Sequence, residues 1–179
     1  VRITYSGDFH MDMPIYFAEQ ENFYLGSKGN NWEVCDSKIF KDWVMTRTKE
    51  RPQITRLIRY FKAWSDNHRH KLPSGLAFTI WTIEHVECDE RDDIAFIQTA
   101  AKLLKNLKES HWSTASWTCY MPVEPRDNVI DHLREDQKLN FRRALEELIK
   151  EGIEALSCED KSEALKKWKK IFGKRFSWP

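Results

Sequence analysis

Phe9-His10-Met11-Asp12-Met13-Pro14-Ile15 is the stretch that decides the fold class. Phe9, Met11, Met13 and Ile15 alternate with Asp8, His10, Asp12 and Pro14. A period of two predicts a half-buried strand with one polar face, running on to Phe17. Just upstream, Val1-Arg2-Ile3-Thr4-Tyr5 predicts another strand, with Ser6-Gly7 as the turn or bulge between them. Two strands alone do not make a stable sheet. The chain also opens on Val1 rather than an initiator Met. Strand partners are therefore expected from residues outside this chain, or from another chain.

Downstream the period changes from two to that of a helix. Gly26-Ser27-Lys28-Gly29-Asn30-Asn31 predicts a loop, and Asp36 or Ser37 then caps a helix to about Lys49, with Ile39, Phe40, Trp43 and Val44 on its apolar side. Pro52 opens the next helix, where Ile54, Leu57, Ile58, Phe61 and Trp64 share one stripe and Thr55, Arg59, Lys62 and Asp66 the opposite one. After Pro73-Ser74-Gly75, the segment from Leu76 to about Val86 is apolar nearly all round, which predicts the central buried helix. Asp92 or Asp93 caps a helix to about Lys108, and Ser116 to Met121 predicts an extended segment before the proline-containing loop Pro122 to Asn128. Two more helices, about Glu135 to Leu156 and Asp160 to Phe172, stop at Gly173. The expected architecture is a strand pair resembling a sheet edge, then about six helices forming a bundle of about 140 residues.

Composition narrows the function classes. The 179 residues are 41% hydrophobic and 32% charged, which suits an ordered, water-soluble chain with one core or slightly more. Eight Trp in a 13% aromatic chain predict helical cores filled by large rings. A formal net charge of +1 argues against a grip on duplex DNA. Cys35, Cys88, Cys119 and Cys158 stand singly, so no zinc-ribbon pair is present, and free buried thiols in a reducing cytoplasm are expected. His85 and Cys88 could face each other on a helix, but two ligands do not make a metal site. The longest apolar run, Gly75 to Ile83, is too short to span a bilayer, so no membrane partner is expected.

Three places could carry chemistry. Asp12 is a carboxylate in an otherwise apolar strand, which is costly unless it is paired, solvated or bound to a cation. A solvated strand aspartate and a metal ligand both remain open, with Asp8 and His10 on the same face. Ser74 stands at a helix N-terminus, where free N–H groups and a hydroxyl favour an anion. Lys62 could complete such a phosphate site as a point charge, but a capping Ser74 with a solvated Lys62 is the simpler alternative. Asp89-Glu90-Arg91-Asp92-Asp93 is expected to be a solvated turn with capping acids, and Gly26-Ser27 a plain loop.

The order of several short motifs adds to this. His10-Met11-Asp12-Met13-Pro14-Ile15-Tyr16 is followed by Trp32-Glu33 with Asp36-Ser37-Lys38-Ile39-Phe40-Lys41-Asp42-Trp43, then Leu57-Ile58-Arg59-Tyr60-Phe61-Lys62-Ala63-Trp64 and Leu72-Pro73-Ser74-Gly75-Leu76-Ala77. Arg91-Asp92-Asp93-Ile94-Ala95, Pro122-Val123-Glu124-Pro125 with Asn128, and Trp168-Lys169-Lys170-Ile171-Phe172-Gly173 complete the series. In this order they resemble the bacterial relatives of cyclic GMP-AMP synthase and oligoadenylate synthase, the cGAS/DncV-like cyclic-oligonucleotide synthases of antiphage signalling. The resemblance implies an α+β chain, with edge strands of a polymerase-β-type nucleotidyltransferase core over 1–35 and a mainly α-helical nucleotide-binding lobe over 36–179. It also implies a magnesium-dependent enzyme (Mg²⁺ or Mn²⁺) that condenses NTPs such as ATP or GTP into a cyclic oligonucleotide.

By that resemblance Asp12 matches the third catalytic, metal-binding aspartate, and Lys62 and Ser74 match the donor-triphosphate ligands. No Asp-x-Asp pair and no helix-linked glycine-serine motif precede Asp12. The chain is therefore expected to be a C-terminal fragment, inactive alone, with its missing core segment in the same or another chain. A regulatory protein partner is compatible with the family, and a cytoplasmic location is expected. A non-catalytic helical nucleotide-binding or interaction module, or another polymerase-β-superfamily nucleotidyltransferase, are the alternatives.

Overall fold

A computed structural model describes residues 1–7, 9–19, 22–26, 32–34, 37–110, 113–173 and 176. Asp8, Cys35, the Asp36 cap and the loop residues 27–31 lie outside the described residues. The chain is α+β: among the described residues, short antiparallel strands precede six α-helices and one 3-10 turn.

The described strands form two small sheets. Strands β1 (Arg2–Thr4) and β2 (His10–Asp12) pair antiparallel, with Arg2 opposite Asp12 and Thr4 opposite His10. The reversal passes through Gly7, whose φ of 89° lies in the left-handed region. The strand expected to continue to Phe17 is instead cut at Met13-Pro14, because proline cannot donate into a ladder. Ile15–Glu19 is a separate strand, β3, paired with β4 (Asn22–Gly26), which in turn pairs with β5 (Glu33–Val34). This three-stranded sheet was not legible from alternation, since Asn22-Phe23-Tyr24-Leu25 is a continuous run with a single polar residue. Nor is Gly26 a loop residue. It ends β4 beneath the Trp32 ring, which a Cβ there would approach to 2.8 Å.

The expected half-buried face is also absent. Every residue of β1, β2 and β3 is exposed, including Ile3, Met11, Ile15, Tyr16 and Phe17. Contiguous exposed apolar strands are the signature of a surface that belongs against something else.

The helices build the core. Helix α1 (Ser37–Glu50) has Phe40, Trp43 and Val44 half-buried, while Ile39 is exposed. Helix α2 (Gln53–Asn67) buries Ile54, Leu57, Ile58, Phe61 and Trp64, the stripe that the 3.6-residue period predicts. Helix α3 (Gly75–His85) buries every residue from Ala77 to Ile83. Its buried hydroxyls are satisfied within the helix, Thr79 donating to the Gly75 carbonyl and Thr82 to that of Phe78. Phe61 stacks on Phe78 at 5.9 Å and meets Phe96 of α4 (Asp92–Ser110) at 4.7 Å. Trp81 stacks on Phe141 of α5 (Glu135–Leu156) at 5.3 Å. Gly152 lets α5 close on α4, since a Cβ there would fall 2.1 Å from Ile97 Cδ1.

Three polar devices join distant segments. The Asn67 amide at the end of α2 donates to the carbonyls of Lys170 and Ile171 in the last turn of α6 (Lys161–Phe172). Lys138, buried in the first turns of α5, donates to the carbonyls of Ala115 and Trp117 at the 3-10 turn Thr114–Ser116; the extended segment expected from Ser116 begins at Trp117 instead, and Tyr120 pairs with Asn128 in an isolated antiparallel bridge. Asp92 is the third. It was expected to cap a solvated turn, but it accepts from Arg56 Nε and Nη2 (2.5 and 2.9 Å), Gln53 Nε2 (2.8 Å) and the Tyr60 hydroxyl (3.0 Å). Hydrogen bonding to Arg56 dominates and holds the carboxyl down at about 2.

A group whose folded value is depressed stabilises the fold above its unfolded value and loses that contribution as pH falls through the folded one. Asp92→Asn is therefore expected to cost about 1–2 kcal/mol at neutral pH. The difference from the parent should shrink between about pH 4 and pH 2. Urea melts of both proteins across that window check it, and a pH-independent difference would assign the loss to packing.

Of the described cysteines only Cys119 is buried, with its thiol pushed up to about 12 by burial; Cys88 is exposed and Cys158 intermediate, so the expectation of uniformly buried thiols is corrected. No described helix is long and apolar enough to cross a membrane.

Candidate functional site

The start of α3 is shaped by Leu72-Pro73-Ser74-Gly75. Ser74 is extended (φ −65°, ψ 157°), and its hydroxyl oxygen accepts from the Ala77 N–H at 3.3 Å. The Ser74 carbonyl takes the Phe78 N–H at 3.1 Å. Among the described residues the N–H groups of Gly75 and Leu76 have no acceptor. The Ser74 O–H proton is likewise free to donate outward, because its oxygen, not its proton, serves the helix.

Lys62 reaches this same end from α2. Its stem lies across Gly75: a Cβ built on that residue would stand 3.1 Å from Lys62 Cε and 3.5 Å from Cδ. The ammonium has no carboxylate partner among the described residues. A cation beside the positive end of a helix dipole is unfavourable on its own and favourable once an anion sits between them. The structure thus brings Lys62 and Ser74 together, and their arrangement can hold a phosphate chain through one point charge, one hydroxyl and two backbone donors.

A cleft of about 470 Å³ opens beside Ser74. Phe40 and Leu76 form one wall, and Met121, Val123 and Val129 form the other. The second wall is held by Asn128, whose side-chain oxygen accepts from the N–H groups of Cys119 and Ile130, and by the Met121 N–H bonding to the Asp127 carbonyl at 2.9 Å. Glu124 and Asp127 face the cleft from this loop, which contains a cis bond at Glu124-Pro125. The sequence marks this segment as a proline-containing loop, with Asn128 beside Pro122-Val123-Glu124-Pro125 in the motif series, but not as the wall of a cleft.

Asp12 sits apart from these groups in its contacts, all of which lie within its own hairpin. Arg2, directly opposite, donates to both carboxylate oxygens at 2.7 and 2.8 Å, and His10 Nε2 stands 3.8 Å away. The guanidinium hydrogen bonds hold the Asp12 carboxyl below the usual range, so it is ionised at neutral pH. Arg2 carried no signal until the turn at Ser6-Gly7 fixed the register. No group of three or more His, Cys, Asp or Glu side chains suited to a metal occurs among the described residues. Asp12 alone offers one carboxylate, which fits Mg²⁺ only where substrate phosphates and further acids join it, and only if Arg2 yields an oxygen.

No family model matches the chain. A cyclic GMP-AMP synthase of Escherichia albertii is 29% identical over 116 residues, covering 60% of this chain and 26% of that protein. Among solved structures, the Vibrio cholerae DncV cyclic AMP-GMP synthase in complex with the linear intermediate 5' pppA(3',5')pG superposes with a TM-score of 0.75 at 23% identity, over 94% of this chain and 48% of DncV. The 3'-deoxy GTP bound form of DncV gives a TM-score of 0.76 at 23% identity, over 94% and 47%. The chain spans about half the length of DncV and a smaller share of the Escherichia albertii synthase. The resemblance first carried by scattered short motifs therefore holds in both sequence and fold: the chain is similar to the cGAS/DncV-like nucleotidyltransferases, over a stretch dominated by their helical portion.

Proposed function

We propose that this chain is the part of a cyclic-oligonucleotide synthase that grips the donor nucleoside triphosphate, with 1–35 contributing edge strands of the catalytic core and 36–179 the helical nucleotide-binding lobe. The observation that carries this is the convergence of Lys62, the outward Ser74 hydroxyl and the free Gly75 and Leu76 N–H groups on one helix end. The cleft beside it has apolar walls suited to a purine face, and Asp127 and Glu124 can accept from ring or exocyclic N–H groups. Likeness to synthases that were solved with ATP and GTP supports NTPs as the ligands.

In the chemistry this arrangement supports, a ribose hydroxyl gives up its proton to solvent and attacks the donor α-phosphorus, a new phosphodiester bond forms as the bond between the α- and β-phosphates breaks, and pyrophosphate leaves. Lys62 and the start of α3 hold the β- and γ-phosphates and offset the charge that grows on pyrophosphate as the bond breaks. Ser74 fixes the triphosphate by donating its proton. Asp12 is the residue that would hold Mg²⁺ or Mn²⁺, and the ion would supply charge neutralisation across the reacting phosphate. A second use of the same site on the linear product closes the ring. The role proposed for the product is that of the family, a signal in antiphage defence, with the enzyme in the cytoplasm and a regulatory protein acting on it.

The test is incubation of the full-length protein with labelled NTPs and Mg²⁺, followed by chromatography and nuclease digestion of the products. A nuclease-resistant cyclic product is expected. The clasp of Arg2 on both oxygens of Asp12 favours one second reading, a nucleotide-binding relative without turnover. Saturable NTP binding with no product would select it, and absence of NTP binding would end both.

A further inference from the structure

We infer that Gly75 is a positioning residue for Lys62, its missing side chain being the slot along which the lysine stem runs to the triphosphate. This rests on the donor-binding role proposed for Lys62. Gly75 lies at the first position of α3, and its φ is not in the left-handed region that would itself require glycine. Glycine is also a poor residue within a helix, so local stability does not favour it there. Beyond its own helix and chain neighbours, the three atoms nearest a Cβ at this position would all belong to Lys62: Cε at 3.1 Å, Cδ at 3.5 Å and Cγ at 3.7 Å.

Three consecutive carbons of one side chain in contact with one missing side chain define a track rather than a chance touch. The track ends where Ser74 and the free N–H groups begin. An alanine would press on Cε more tightly than ordinary van der Waals contact allows and push the ammonium away by a few tenths of an ångström. A valine would close the track. Because the obstructed atoms belong to a flexible, exposed side chain, the fold does not resist either change, and the cost appears in ligand affinity.

The experiment is a double-mutant cycle in the full-length protein, read by titration with ATP and with GTP in the presence of Mg²⁺ and by thermal melting. Lys62→Ala is expected to weaken binding by about ten- to a hundredfold, the value of a charge-assisted contact. Gly75→Ala is expected to weaken it by about threefold while the melting temperature holds or rises, and Gly75→Val to approach the loss seen for Lys62→Ala. In the Lys62→Ala background, neither change at 75 should weaken binding further.

Unaltered affinity in Lys62→Ala would overturn the donor-binding role itself. Weakened binding in Lys62→Ala but unaltered binding in both Gly75 variants would overturn the positioning role alone. So would a Gly75 penalty that persists without Lys62. Should Gly75→Val fail to fold, the alanine arm decides.

Discussion

Asp12→Asn is expected to lower cyclic-product formation by the full-length protein by about a hundredfold or more, with melting unchanged and NTP binding largely kept. Asparagine is nearly isosteric and still accepts from Arg2 through its amide oxygen, so the hairpin keeps its register. What disappears is the negative charge that a divalent ion needs. Asp12 is exposed and bound only within the hairpin, so stability should not register the change. Product formation at the parental rate would remove Asp12 from the metal site. The same assay separates the two readings of the Arg2 clasp. If the clasp merely stores the carboxylate in a ready state, the parent protein turns over despite it. If the clasp is permanent, parent and Asp12→Asn are equally inactive.

The second large effect is on the fold. Phe61→Ala is expected to destabilise the protein by about 3–5 kcal/mol. Phe61 is 1% exposed and joins three helices through ring contacts with Phe78 of α3, Phe96 of α4 and Trp64 of its own helix. Deleting it removes a ring from the middle of a stack, and the flanking rings are themselves pinned, Phe78 by Trp81 and Phe141. The void has little room to collapse, which puts the loss at the upper part of the range. Chemical denaturation followed by near-ultraviolet circular dichroism measures it. A loss under 1 kcal/mol would mean that these contacts do not limit the core.

The helices were legible because each buries a wide stripe. The spacing of Ile54, Leu57, Ile58, Phe61 and Trp64 leaves one orientation for α2, and the uninterrupted apolar segment from Ala77 to Ile83 leaves α3 no place but the centre. Lys62 and Ser74 were legible as residues, since the polar stripe of α2 and the cap of α3 each mark one of them. Their meeting was offered as one of two alternatives, but the geometry behind it was not legible, because it depends on the packing of two helices and on one missing Cβ at Gly75. The strands misled for a different reason. Alternation reports a face that is meant to be buried, and in this chain that face is exposed, so the pattern around Met11 and Met13 matches no packing contact among the described residues. Asp92 misled because an acid run before a helix looks the same whether or not an arginine from a distant helix reaches it. The cleft wall from Met121 to Val129 has no periodicity to read; the Asn128 side chain and backbone bonds hold it instead.

Helix α2 is fastened near both ends, by Asp92 to Gln53, Arg56 and Tyr60 in its first turns and by Asn67 to the last turn of α6. Mechanically it is a beam with no free end, and Lys62 is mounted on it as on a fixed post. On the proposed reading, a nucleotide bound at that post would not draw the post toward itself. Among the elements that line the cleft, α1 has no fully buried residue, so on the proposed reading closure around a ligand would fall to it. On that reading the part that grips and the part that moves would be different parts of the sequence, so affinity for the phosphates and speed of closure could be tuned independently.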